Sequence, residues 1–133
     1  MTQYLLDTNI VAFMLRGRKD VLDRMLAIGV DSCHISEITY AELLYGVRCS
    51  KYPDRNYKVL RAFIRGIDML PISNSLEEFA EIKFYLRRNG KIVEDSDIYI
   101  GAAAIANNMV MVTENLKHFE NMPGIVLENW VKR

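Results

Sequence analysis

The chain has 133 residues, of which 50% are hydrophobic and 26% are charged. Seventeen Lys and Arg residues balance seventeen Asp and Glu residues, so the formal net charge is zero. This composition excludes a disordered chain, and the length suits one domain over residues 1–133. The balance also excludes a histone-like protein that binds nucleic acid through its overall charge, although it leaves room for local basic patches.

The amino-terminal sequence and the cysteines predict a cytoplasmic protein. No basic region precedes the first apolar run, which Asp7 interrupts, so no signal peptide is expected. The longest uncharged apolar stretch, residues 98–106, is too short to span a membrane. Cys33 and Cys49 lie far apart and outside any Cys-x-x-Cys motif, which is typical of reduced thiols.

Short apolar runs alternate with helical segments along the chain. Strands are predicted at residues 3–6, 32–35, 68–72, 109–113 and 125–127. Helices are predicted at residues 10–15, 20–28, 36–47, 75–88 and 96–107. One more helix is predicted to begin at residue 53, with an apolar stripe that includes Val59 and ends at Ile67. Asp20 and Ser36 are expected to cap their helices, and Ser75 with Glu78 to form a capping box. The alternation predicts an α/β domain whose mainly parallel sheet is covered by helices on both faces.

Acidic and amide side chains follow two of the predicted strands. Asp7 ends the first strand, and Glu114 and Asn115 follow the fourth. Asp95 and Asp97 open the buried helix that precedes the fourth strand. Because ligands of open α/β sheets bind beyond the carboxyl ends of the strands, we expect these side chains to lie at the functional edge.

Glu42 lies within the helix at 36–47, on a face that it shares with apolar side chains. Burying a lone carboxylate is costly, and convergence of Glu42 with Asp7 and Asp97 would add repulsion. A divalent cation such as Mg²⁺ or Mn²⁺ would neutralise such a cluster and activate water for attack on a phosphodiester. The two histidines, His34 and His118, lack the spacing of zinc ligands, which argues against zinc hydrolysis.

Each acid also has a purely structural interpretation. Asp7, Asp95 and Asp97 are of a residue type that caps helices, and each lies near the start of a predicted helix. Glu42 could pair with Arg16 or Arg48, and Glu114 could be a solvated loop residue. The joint placement of the acids favours a site more strongly than any one of them.

The segments around these acids form an ordered set of motifs. They read YLLDTNI from Tyr4, ITYAELLYG from Ile38, DSDIYIGAA from Asp95 and VTEN from Val112. In this order and spacing the chain resembles the PIN-domain ribonucleases, and among them the VapC toxins of toxin–antitoxin pairs. The resemblance extends over essentially the whole chain.

The resemblance implies a metal-dependent endoribonuclease that uses Mg²⁺ or Mn²⁺, cleaves RNA (tRNA in the family), is held inactive by a cognate antitoxin and forms a homodimer. Asp7, Glu42 and Asp97 would bind the metal and, with Asn115, form the catalytic set. The supporting polar residues would be Thr8, Asn9, Asp95, Thr113 and Glu114. Asn115 stands where many members carry Asp, so the fourth ligand and a second metal stay open.

Basic residues cluster near these acids in the sequence. Arg16 and Arg18 follow Asp7, and Arg48 follows Glu42. They would contact RNA phosphates, or else belong to solvated surfaces. The alternative function is an inactive PIN-like scaffold that binds a partner protein, which the neutral Asn115 motivates. A phosphoacceptor domain is a third alternative, disfavoured because no adjacent acid pair accompanies the early Asp.

Overall fold

A sheet of five parallel strands forms the centre of the computed structural model, which describes all residues 1–133. Seven α-helices surround it. In chain order the elements are β1 (Tyr4–Leu6), α1 (Thr8–Leu15), α2 (Lys19–Ile28), β2 (Cys33–Ser36), α3 (Glu37–Arg48), α4 (Pro53–Arg65), β3 (Asp68–Leu70), α5 (Leu76–Arg88), α6 (Asp95–Ala106), β4 (Val110–Val112), α7 (Leu116–Phe119) and β5 (Leu127–Glu128). None of the helices combines the length and apolar character that a membrane span requires.

The strand order is β3-β2-β1-β4-β5, which places β1 between β2 and β4. The ladder continues one residue beyond the strands: the Asp7 N–H donates to the Val112 carbonyl at 2.9 Å, and the Thr113 N–H donates to the Glu128 carbonyl at 3.0 Å. Asp7 and Thr113 therefore end neighbouring strands at the same edge of the sheet. The predicted parallel α/β architecture is confirmed.

Alternation along the strands divides the interior into two cores. Leu5 and Met111 are fully buried on one face, together with apolar side chains of α5, α6 and α7. Leu6 and Val112 are fully buried on the other face, against α1, α2, α3 and α4. Full burial of each such side chain is worth about 1.5–3 kcal/mol, so the strands at the site are held from both sides.

Two helices begin differently from the prediction. The α1 helix begins at Thr8 rather than Ile10, because the Asp7 carboxylate caps it and accepts the Thr8 N–H at 2.8 Å. Asp20 lies inside the first turn of α2 rather than at its cap, and its carboxylate accepts the Arg18 Nε–H at 2.8 Å. The predicted Ser36 cap is confirmed, since its hydroxyl accepts the Ile38 N–H at 3.1 Å.

Three further predictions are wrong in detail. Ser75 makes no capping bond; its hydroxyl donates instead to the Ile72 carbonyl at 3.3 Å, within a short 3₁₀ turn. That turn follows Pro71 and shortens β3, which ends at Leu70. On α4, Val59 is 45% exposed and Ile67 lies beyond the helix, so the apolar stripe is narrower than predicted.

Candidate active site

Asp7 is the most deeply buried acid of the protein, with only 5% of its surface exposed. One carboxylate oxygen accepts the Thr8 N–H and the other accepts the Thr113 hydroxyl, both at 2.8 Å. Each bond comes from a neutral donor, and no Lys, Arg or His forms an ion pair with Asp7. The carboxylate is thus held in place without being neutralised.

Thr113 connects Asp7 to the loop that follows β4. Its buried hydroxyl donates to Asp7 and accepts the Asn115 N–H at 2.9 Å. Since a hydroxyl has one hydrogen and two lone pairs, these two bonds are compatible and fix its orientation. Asn115 itself is exposed, and its side chain makes no hydrogen bond within the protein.

Glu42 lies on α3 and is bound to the first turn of α1. The Thr8 hydroxyl donates to its carboxylate at 2.6 Å and lies 3.2 Å from the hydroxyl of the buried Thr39. Since Thr8 has a single hydroxyl hydrogen, the contact between the two hydroxyls requires Thr39 to donate. Glu42 forms no ion pair with Arg16 or Arg48, which removes that structural interpretation.

Asp97 lies in the first turn of α6, half-buried, with His118 Nδ1 3.0 Å from its carboxylate. The neighbouring Asp95 is exposed and pairs instead with Lys83 on α5 at 2.9 Å. Of the two acids that open α6, Asp97 is the one whose charge acts on Asp7, whereas Asp95 joins two helices.

Burial and repulsion raise the pKa values of Asp7 and Asp97. Burial is the main reason that the pKa of Asp7 rises from 3.8 to about 6; the hydrogen bonds from Thr113 and Thr8 oppose the rise, and the charges of Asp97 and Glu42 add to it. Burial also raises the pKa of Asp97, which His118 opposes and Glu94 reinforces. Asp97 and Glu42 therefore each lie near enough to repel Asp7, and these three residues are called the acid cluster below.

These three acids are suitable ligands for a hard divalent cation. Their oxygens are the donors that Mg²⁺ and Mn²⁺ prefer, and the repulsion that Asp97 and Glu42 exert on Asp7 is an energetic cost that such an ion would remove. The side chains do not form a ready-made ligand set: no three Asp, Glu, His or Cys side chains converge closely enough to hold one ion. Glu42 is turned toward Thr8 and Asp97 toward His118.

Two further predicted residues lie beside the cluster. The Asn9 side-chain oxygen is 3.5 Å from the Glu114 N–H, so it supports the loop after β4 only weakly. Glu114 accepts the Arg133 Nε–H at 2.8 Å, and its side chain is 24% exposed. Glu114 is therefore a paired acid rather than the solvated loop residue of the alternative interpretation.

The three predicted basic residues lie in different surroundings. Arg16 lines a groove of about 490 Å³ between α1, α3 and α4, which also contains Thr8 and Glu42. Arg18 is held by Asp20 and by the Lys132 carbonyl, to which it donates at 2.9 Å. Arg48 is exposed and forms no ion pair.

Sequence reasoning missed three residues of this region. His118 contacts Asp97, Thr39 supports Thr8, and Arg133 pairs with Glu114. His118 lies in α7, three residues after Asn115, and nothing in that spacing marks it as a partner of Asp97. Thr39 stands three residues before Glu42 on the same helical face, but its contact with Thr8 is made across the fold. No local pattern marks Arg133.

The sequence and fold match known proteins along the whole domain. The PIN domain family model matches residues 4–125, and the chain therefore belongs to the PIN-domain family. Ribonuclease VapC2 of Haemophilus influenzae is 36% identical over 133 residues, covering 98% of this chain and 100% of that protein. The tRNA(fMet)-specific endonuclease VapC of Salmonella typhimurium is 32% identical over 131 residues, covering 98% of this chain and 99% of the relative.

Solved structures give the same result. The fold superposes on DNA-bound VapBC from Salmonella typhimurium with a TM-score of 0.91 and 32% identity, over 98% of this chain and 100% of that one. For VapBC2 from Rickettsia felis bound to a promoter DNA fragment, the TM-score is 0.88 at 30% identity, over 98% and 100% of the chains. Within the PIN-domain family, this chain is one of the VapC ribonucleases of toxin–antitoxin systems.

Proposed function

We propose that this protein is a divalent-metal-dependent endoribonuclease in which Asp7, Glu42 and Asp97 hold Mg²⁺ or Mn²⁺. The observation that carries the proposal is the state of Asp7, a buried carboxylate at the end of the central strand with neutral donors only. Its pKa is raised to about 6, partly by the charges of Asp97 and Glu42. When bound, the ion would polarise the scissile phosphate and lower the pKa of an attacking water.

The protein residues around the acids position these groups for that task. Thr113 and the Thr8 N–H fix both oxygens of Asp7, and the Thr8 hydroxyl orients Glu42. Asn115 offers an amide oxygen and an amide N–H group at the open side of the site, where it can orient water or an RNA phosphate. Because Asn115 carries no charge, the proposed site contains one metal ion held by three acids.

The substrate class that we propose is RNA, and tRNA in particular, because a similar protein is named a tRNA(fMet)-specific endonuclease. We propose a cognate antitoxin as the protein partner, since similar chains are solved as VapBC complexes. The groove beside Glu42 suits a segment of that partner, because apolar side chains line it. These are Ala12, Leu15, Leu43, Val47 and Val59.

The active form that we propose is a cytoplasmic homodimer. Support for a second copy comes from α5, on which the consecutive aromatic residues Phe84 and Tyr85 are 59% and 45% exposed. Sedimentation equilibrium of the purified protein measures its mass directly. A mass that stays at one chain at micromolar concentration would contradict this part of the proposal.

The central test is cleavage of purified tRNA by the wild type and by Asp7→Asn, Asp97→Asn and Asp31→Asn. Asp31 is exposed and unpaired, so its variant is a control for the loss of an acid elsewhere. We expect wild type and Asp31→Asn to cleave with Mg²⁺ or Mn²⁺ and to be inactive in EDTA. The other two variants should be inactive in every buffer.

Metal binding is measured separately from cleavage. Saturating Mn²⁺ should raise the thermal midpoint of the wild type, since a ligand at about one hundred times its Kd adds about 2.7 kcal/mol of stability. The Asp7→Asn variant should show no such rise. Full cleavage in EDTA, or by either acid variant, would contradict the proposal; a folded wild type that binds antitoxin but never cleaves RNA would favour the scaffold alternative.

A further inference from the structure

Residues 129–133 follow β5 and fold back onto the domain as an anchored segment. Trp130 is 3% exposed, with its ring 5.6 Å from that of Tyr4. The Lys132 N–H donates to Asp20 at 2.7 Å, and the Lys132 carbonyl accepts from Arg18 at 2.9 Å. Because the backbone is fixed on both sides of Lys132, the fold sets the direction in which Arg133 leaves it.

Arg133 reaches Glu114, directly after Thr113. Its Nε–H donates to the Glu114 carboxylate at 2.8 Å, and one terminal nitrogen pairs with the same oxygen. A guanidinium carries five N–H groups, so two bonds leave three N–H groups free. The Arg133 side chain is 63% exposed, whereas that of Glu114 is 24% exposed, so the free N–H groups face solvent.

This guanidinium lies on the loop that carries the Asp7–Thr113 bond. Arg18 is close enough to Glu114 for that charge to raise the pKa of Arg18 further. Glu114, which directly follows Thr113, therefore pairs with Arg133 and also interacts with the charge of Arg18. An RNA backbone approaching Asp7, Glu42 and Asp97 meets strong negative charge, and a fixed cation at this border would favour its phosphates.

We propose that Arg133 is a substrate-binding residue, which contacts a phosphate of the RNA next to the scissile one, and that Glu114 holds its guanidinium rather than a metal ion. This inference rests on the proposed nuclease function and adds a specific RNA contact to it. Arginine suits the role, because its fork can bind a carboxylate and a phosphate at once.

The test measures binding of a labelled, mixed-sequence single-stranded RNA to the Asp7→Asn protein in EDTA, across a salt series, so that no cleavage occurs. Arg133→Ala in this background should weaken binding by about tenfold. It should also make the slope of log affinity against log salt shallower by about 0.7, the value for one lost phosphate contact on single strands. Arg133→Lys should keep most of the slope, because it keeps the charge.

Arg65→Ala is the matched control. Arg65 is an exposed arginine at the end of α4, just before β3 begins. It therefore lies at the amino-terminal ends of the strands, whereas the site lies at their carboxyl ends. Its loss should leave the slope unchanged. An equal change in both variants, or tighter RNA binding by Arg133→Ala, would overturn the proposal. A mere structural ion pair would lower the thermal midpoint of Arg133→Ala without changing the slope, and this result would overturn it too.

In the enzyme with Asp7 intact and metal present, Arg133→Ala should raise KM for RNA by about tenfold and change kcat by less than about twofold. An unchanged KM would count against the contact. The binding series needs no catalysis, so it still measures the contact if the wild type does not cleave RNA. Failure of the proposed function and failure of this inference are thereby told apart.

Discussion

Replacing Asp7 with Asn should stabilise the metal-free protein while it abolishes cleavage. In the folded state, burial and the charges of Asp97 and Glu42 raise the pKa of Asp7 from 3.8 to about 6. The folded state therefore binds a proton more tightly than the unfolded chain does. As the pH rises from 4 through 6, the wild type must ionise this buried group and loses stability.

The magnitude follows from the raised pKa. At pH values well above the folded pKa, a pKa rise from 3.8 to about 6 costs the folded state roughly 3 kcal/mol of stability. Asn resembles the protonated acid, and its amide can donate to a free lone pair of Thr113. Between about pH 4 and about pH 7.5, the stability of Asp7→Asn relative to wild type should therefore rise by roughly 2–3 kcal/mol.

Urea unfolding in EDTA at several pH values measures this difference, and thermal melts provide a check. For a chain of this length, the change corresponds to a relative gain in thermal midpoint of about 6–9 °C. Asp31→Asn controls for the loss of an exposed acid and should show no such trend. A gain that is equal at both pH values, or a variant that is less stable at about pH 7.5, would refute the reasoning.

Three further predictions concern the surroundings of the site. Thr113→Val should cost about 1–3 kcal/mol in urea unfolding, because the buried carboxylate loses its hydroxyl donor, whereas Thr113→Ser should cost much less. Asp20→Asn should speed hydrogen exchange at the Lys132 amide and lower the thermal midpoint at neutral pH. Since the pKa of Asp20 is lowered to about 2, the difference in thermal midpoint from the wild type should shrink only as the pH falls from 4 towards 2. Gly101→Ala should cost about 1–3 kcal/mol, since its Cβ would lie 2.4 Å from the buried Met122 sulfur; a higher thermal midpoint would contradict this.

Much of the fold was predictable because its signals are local. Apolar runs marked the strands, and the expected Ser36 cap begins α3. The Ser75–Glu78 motif failed because Ser75 already takes part in a 3₁₀ turn that Pro71 begins, so its hydroxyl bonds backwards along the chain. The same residue type therefore caps one helix and not another, depending on the backbone before it.

For the site, the sequence predicted only its position at the carboxyl ends of the strands. The sequence indicated that Asp7 and Thr113 both end strands, but their bond spans 106 residues and exists because β4 pairs with β1. His118 and Arg133 joined the site through side chains alone, and no periodicity or spacing carries that information. Site residues that are brought together by strand pairing could thus be predicted from the sequence. Site residues whose contacts depend on the direction of a side chain could not.

The equal numbers of acidic and basic residues in the sequence do not make the site neutral. Arg18 and Arg133 are paired with acids outside the cluster, Asp20 and Glu114, so neither one neutralises Asp7. Asp7 consequently stays buried without a cation at a cost to the stability of the metal-free fold. A group that only supported the fold would be better replaced by Asn. The retention of an ionisable side chain at this point therefore fits a ligand that arrives with positive charge, which is the role that the proposed metal would fill.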